Sequence, residues 1–216
     1  MRAAGAAWAS FHFVRIDPES RTVDGLSTLV LFVALNVIYL LCCIPIVTIG
    51  AATAALFEVM WRFADEERGH LVRGYFLALR SSWRQASLVY LATVLPALLL
   101  LFVSVFWFSL GTGLSAAAGT LCALGAIYCG AAFLFGCTLV ARFENTARGT
   151  ITNAYLFPAA QPLHALGALL VPALMAALVM IFHPVAFLFV TVGAALCGYV
   201  IARLLGAAFR RHAEPS

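Results

Sequence analysis

The sequence predicts an all-α protein: a polytopic transmembrane helix bundle of about six spans, with amphipathic helices on the cytoplasmic surface. Three observations carry that expectation. The 216-residue chain is 64% hydrophobic and 10% charged, with a mean hydropathy of +1.02, whereas soluble domains average about 45–50% apolar and about 25% charged residues. Its apolar residues fall in runs that reach the roughly 20 residues a helix needs to cross hydrocarbon. All thirteen basic residues are arginine, and most flank those runs. So few charges cannot coat a water-facing globule, which excludes a soluble enzyme, and the high hydrophobicity excludes a disordered chain. The six cysteines lie in apolar runs and do not form a disulfide framework.

The expected elements follow in order. An N-terminal arm, 1–25, leads into a single transmembrane domain, 26–207, and a short tail, 208–216, ends the chain. Residues 1–13 lack a long apolar centre, so no cleavable signal peptide is expected. Spans are expected over 26–49, 86–110, 114–141, 163–182 and 185–206. A further segment, 51–64, is short and carries Glu58 and Arg62. There Glu58, Arg62, Asp65 and Glu66 recur at helical spacing, while Leu56, Phe57, Val59, Met60, Trp61 and Phe63 cover the other faces. That pattern suits either a short crossing helix that faces the bundle interior or one lying flat among headgroups. Ala51, Ala52, Ala54 and Ala55 favour a tightly packed hairpin, and hence crossing.

Arginine placement sets the orientation. Arg62, Arg68, Arg73, Arg80 and Arg84 separate the second and third spans; Arg142 and Arg148 follow the fourth; Arg203, Arg210 and Arg211 end the sixth. The short connections 109–113 and 183–184 hold no arginine. Cations stay on the cytoplasmic side, so both termini are expected inside if 51–64 crosses; otherwise Arg2, Arg15 and Arg21 lie outside. The arginines do not form one stripe, so the +4 net charge points to no nucleic-acid partner. Leu71, Tyr75, Leu79 and Trp83 repeat every four residues beside Arg73, Arg80 and Arg84. This predicts a basic amphipathic helix on the inner surface that binds anionic lipid or, as the alternative, docks a protein partner. A weaker segment of the same kind, 143–157, is expected to end at Pro158.

Small residues four apart predict close helix contacts along Ala118, Cys122, Ala126 and Gly130, and along Ala194, Gly198, Ala202 and Gly206. Pro45, Pro96 and Pro172 interrupt apolar runs and predict local kinks. Glu58 is the one acid expected well inside the bilayer, with Arg62 one turn later as its partner. It reads either as a structural ion pair or, with Asn36, as a polar site for a proton or substrate. No Cys-x-x-Cys, His-Glu-x-x-His, Gly-x-Ser-x-Gly or phosphate loop occurs, so no metal, cofactor or catalytic residue is expected.

Three blocks carry a resemblance. Asn36-Val-Ile-Tyr-Leu-Leu-Cys-Cys-Ile-Pro-Ile-Val-Thr-Ile-Gly-Ala-Ala-Thr-Ala-Ala-Leu resembles the signature of the YesL-like family of bacterial membrane proteins, with Tyr39 where tryptophan is usual and Ala51 where proline is common. Gly74-Tyr-Phe-Leu-Ala-Leu-Arg-Ser-Ser-Trp-Arg-Gln-Ala and Ala141-Arg-Phe-Glu-Asn-Thr-Ala-Arg are similar to two further blocks of that family. The matching positions are Asn36, Pro45, Thr48, Gly50, Thr53, Arg142, Phe143, Glu144 and Asn145. Asn36 suits bonding between helices, and Pro45 with Gly50 suits a turn. The resemblance implies a multi-pass protein of the bacterial plasma membrane with no known biochemical activity. Family members are often encoded beside carbohydrate uptake and degradation genes, which implies an accessory role with sugar importer subunits as partners. The chain lacks the Glu-Ala-Ala…Gly signature of importer permeases. A small secondary transporter or channel with a polar site around Glu58 is the alternative.

Overall fold

The computed structural model describes residues 18–65, 70–143 and 146–213, with the side chains of 25–65, 70–143, 146–182 and 186–206. Every regular element among them is helical: α1 (Pro18–Cys43), α2 (Ile49–Ala64), α3 (Leu71–Ser109), α4 (Gly113–Arg142), α5 (Ala147–Ala160), α6 (Pro162–Ile181), α7 (His183–Leu188) and α8 (Ala194–Ala213). A 3-10 turn, Ile46–Thr48, precedes α2, and a π turn, Phe189–Gly193, joins α7 to α8. Six stretches are long and apolar enough to cross a membrane: Gly25–Cys43, Ile46–Ala64, Leu71–Ser109, Gly113–Arg142, Pro162–Ile181 and Ala186–Gly206. The molecule is an all-α bundle suited to multi-pass membrane insertion.

The short second stretch is the centre of the bundle. Eleven of the sixteen residues of α2 are buried, and α1, α3, α4 and α8 all pack on it. A helix so enclosed does not lie flat among headgroups. Its alanines allow the close approach, and Gly50 is obligatory, because a Cβ there would sit 2.4 Å from Cβ of Tyr90. The first expected span, 26–49, is cut short at Cys43. Pro45 disfavours helical geometry in the preceding Ile44, and the Thr48 hydroxyl closes the turn by donating to the carbonyls of Cys42 and Pro45.

Two surface helices depart from expectation. The basic amphipathic stretch is no separate element: it is the first part of α3, a single 39-residue helix about 58 Å long at 1.5 Å per residue. Leu71, Tyr75 and Ala78 are buried in the core, and the Tyr75 hydroxyl donates to the Ala52 carbonyl of α2. Phe76, Leu77 and Trp83 stay exposed. The second stretch begins only at Ala147, where the Thr146 side chain accepts from the Gly149 amide, and it runs through Pro158 to Ala160. It stops at Gln161 because Pro162 opens α6 and restricts the residue before it.

Helix ladders divide in the same way. In α8, Gly198, Ala202 and Gly206 are buried against α2; an added Cβ at Gly206 would lie 2.4 Å from the Trp61 ring. In α4 the expected Ala118, Cys122, Ala126 and Gly130 are only half-buried, and the closest packing falls on Ser115, Gly119, Ala132 and Gly136 instead. The partner's bulk decides which row is covered: Phe108 sits over Gly119, and Val89 leaves only 2.5 Å for a Cβ at Gly136.

Pro96 lies within α3 and deprives the Ala92 carbonyl, four residues back, of its helical donor. The Tyr155 hydroxyl of α5 donates to that carbonyl at 2.8 Å. Burial pushes the Tyr155 phenol up to about 12, helped by the neighbouring Cys129. The proline thus creates the acceptor that docks α5.

Candidate functional site

Two polar centres emerge, and they do not meet. The first lies at the arginine-bearing end of α2. One helical turn separates Glu58 from Arg62, and Nη2 of Arg62 donates to Oε1 of Glu58 at 2.6 Å. One residue past the helix, Asp65 lies 3.5 Å from Nη1 of Arg142, the last residue of α4. The Arg142 guanidinium also stacks over Trp61 of α2, 4.3 Å from the ring centroid. A cation at a helix C-terminus meets the negative end of the helix dipole, which gives Arg142 a third favourable partner. These contacts tie α2 to α4.

Open space surrounds the cluster. Glu58 lines a cavity of about 440 Å³ with Trp61, Arg62, Asp65 and Arg142. It also lines a second of about 360 Å³ with Ser81, Ser82 and Gln85 of α3. Arg142 and Phe143 border both. The Ser81 and Ser82 hydroxyls donate to the Ala78 carbonyl, which leaves their oxygens as acceptors. Gln85 donates to the Thr150 hydroxyl at 2.8 Å and so brings α5 to the rim. The Glu58 side chain is 21% exposed and that of Arg62 49%, so this pair is open to the surface rather than sealed in the core. Beyond it, Leu56, Phe57, Val59 and Met60 are buried in the packed core. The basin can hold water, an ion or a small polar group, and can exchange protons at its rim.

The second centre is Asn36, fully buried in α1. Its Nδ2 donates to the carbonyls of Phe189, at 3.2 Å, and Val190. Its Oδ1 accepts from the amides of Ala194, at 2.8 Å, and Ala195, at 3.1 Å. A π turn breaks the regular i→i−4 ladder, and lipid offers no substitute partner for the freed groups. One amide side chain therefore serves both backbone donors and backbone acceptors at the Phe189–Gly193 turn. Asn36 lines neither cavity around Glu58.

Of the three residues read from the sequence as one polar site, the fold brings Glu58 and Arg62 together and places Asn36 apart. Among the motif positions, Pro45 and Thr48 form the α1–α2 turn and Gly50 admits α3 beside α2. The Thr53 hydroxyl donates to the Ile49 carbonyl at 2.7 Å. Arg142 and Phe143 border the basin, whereas Glu144 and Asn145 lie outside the described residues. Sequence reasoning missed Trp61, Ser81, Ser82 and Gln85 as basin residues. Ser81, Ser82 and Gln85 do share a helical face, but the stacking of Arg142 on Trp61, 81 positions apart in the chain, has no local signal.

Residues 32–105 are similar to a family described as a protein of unknown function, DUF624. The matched stretch holds Asn36, the α1–α2 turn, Glu58 and Arg62, but not Arg142. No curated protein and no solved structure matches the chain. The comparisons assign no activity.

Proposed function

We propose that the chain is an accessory protein of a bacterial plasma membrane, of the YesL-like group, that works beside a sugar importer and performs no enzymatic reaction itself. Its termini lie in the cytoplasm. The observation that supports an accessory role is that charged groups at the end of α2 hold structure together: Asp65 to Arg142 and Arg142 onto Trp61 tie α2 to α4, and Glu58 pairs with Arg62 within α2. The carbohydrate link rests on the resemblance of the three sequence blocks.

Importer subunits should co-purify with the chain after mild solubilisation, and Asp65→Arg, which sets two cations against each other, should weaken that capture. Clean purification of the importer without this chain, from cells that contain both, would overturn the reading. Anionic lipid is proposed to bind along the first part of α3, where Arg84 stacks on the exposed Trp83. A cysteine introduced near Thr48 should react with an impermeant reagent from outside, and one near Arg73 should not.

A second reading, a small transporter or channel, is favoured by one observation: Glu58 is reached by two cavities. Proton or solute flux into proteoliposomes that vanishes in Glu58→Gln at unchanged abundance would establish it.

A further inference from the structure

Away from the charged basin, five helical segments enclose a pocket of about 490 Å³ whose walls are almost wholly apolar. Tyr39 and Thr53 supply its only hydroxyls; Leu134, Met180, Phe189 and Ile201 represent the rest. Every lining residue lies within a membrane-spanning stretch. Tyr39, Met180 and Phe189 sit near the ends of the spans away from the arginines, whereas Leu134 and Ile201 lie deeper. From Phe189 to Ile201 along α8, and from Pro172 to Met180 along α6, the pocket is roughly 12 to 18 Å deep at 1.5 Å per residue. One leaflet of a hydrocarbon core about 30 Å thick has the same depth.

We infer that this pocket holds one acyl chain of a bilayer phospholipid, drawn from the leaflet opposite the arginines, with its ester carbonyl at the Tyr39 hydroxyl. Water is a poor occupant, since it needs two to four polar partners and the walls offer two hydroxyls side by side. An empty space of this size forfeits the dispersion contacts of its whole lining. The pocket is continuous with the lipid-facing surface, because Ala176 and Met180 of α6 line it and are themselves exposed. Its polar corner is suited to an acceptor. Thr53 gives its hydroxyl proton to the Ile49 carbonyl at 2.7 Å, and the Tyr39 oxygen is 3.4 Å from Thr53, a long bond that a better acceptor can replace. Hydrocarbon is no more attracted to these walls than to other lipid, so retention comes from shape and this one bond.

The test uses the full chain released from phospholipid nanodiscs and read by native mass spectrometry. The wild-type chain should retain phospholipid stoichiometrically. Ala176→Trp, which plugs the mouth from an exposed position, should lose it about tenfold, the equivalent of ~1.4 kcal/mol. Leu174→Trp, exposed on the same helix but outside the lining, should retain it. A variant-free arm incorporates phospholipid with a diazirine near the end of its acyl chain. Adducts at Leu134 and Ile201, which are buried from outside, support the proposal. Adducts confined to exposed residues such as Leu170 and Leu174 overturn it. So do a lipid-free wild-type chain, equal retention by the two tryptophan variants, or recovery of detergent or a polyisoprenoid in place of phospholipid.

Discussion

Asn36 and Glu58 are both polar residues within apolar runs, yet the fold treats them in opposite ways. Asn36 is fully buried and bonds four backbone groups across the π turn, and it lines neither cavity around Glu58. Glu58 has one partner on its own helix and open space on two sides. A buried amide that satisfies orphaned backbone is a structural necessity, because hydrocarbon gives those groups nothing else to bond. A partly exposed, singly paired carboxylate at the rim of two cavities stays available for chemistry or recognition. The contrast separates what holds the bundle together from what it can present to a ligand.

The contrast can be tested by five changes of decreasing expected effect. Asn36→Leu removes the four side-chain bonds to the π turn and should cost roughly 2–4 kcal/mol, read as lost folded yield and a lower melting temperature in detergent. Gly206→Leu drives a side chain into Trp61 and should cost roughly 1–3 kcal/mol. Because it displaces the surface on which Arg142 stacks, it should also raise the exposure of Arg142 to a guanidine-specific reagent. Tyr155→Phe leaves the Ala92 carbonyl beside Pro96 without its donor and should cost about 1 kcal/mol, detected as faster amide exchange in α5 with α2 unchanged. A double-mutant cycle of Asp65→Asn and Arg142→Gln should give a coupling below ~1 kcal/mol, since both side chains are substantially exposed. Glu58→Gln should be the mildest, within about 0.5 kcal/mol of wild type. A loss from Glu58→Gln as large as that from Asn36→Leu would erase the distinction between the two centres.

Much of the fold is legible in the residues. Five apolar stretches are visible by length alone, and the alanines at 51, 52, 54 and 55 favour a packed hairpin for the sixth; that α2 is the centre of the bundle emerges only in the structure. The row Gly198, Ala202 and Gly206 is legible too, because small residues four apart admit a neighbouring helix. The equivalent row in α4 misleads: Ala118 to Gly130 is as regular, yet Phe108 and Val89 of α3 cover Gly119 and Gly136 instead. The amphipathic stretch at 71–84 has the right periodicity, but no breaker separates it from the third span, so it continues into α3. Pro158 is read as a stop, though a proline inside a helix forfeits one bond and α5 runs on to Ala160. The Glu58–Arg62 pair is legible at i, i+4; the Asp65–Arg142 and Trp61–Arg142 contacts are not, since they join helices far apart in the chain.

Residence in a bilayer and the five long apolar stretches are sums over single residues, because each side chain's transfer free energy depends on its own chemistry. The sequence by itself therefore determined them. Which face of α4 meets α3, which carbonyl Tyr155 reaches, and why Asn36 and Glu58 part company depend on pairs of residues and on the relative rotation of helices. Lipid favours neither face of an apolar helix, so close packing and unsatisfied backbone groups alone make those choices. They exist only once the helices have assembled.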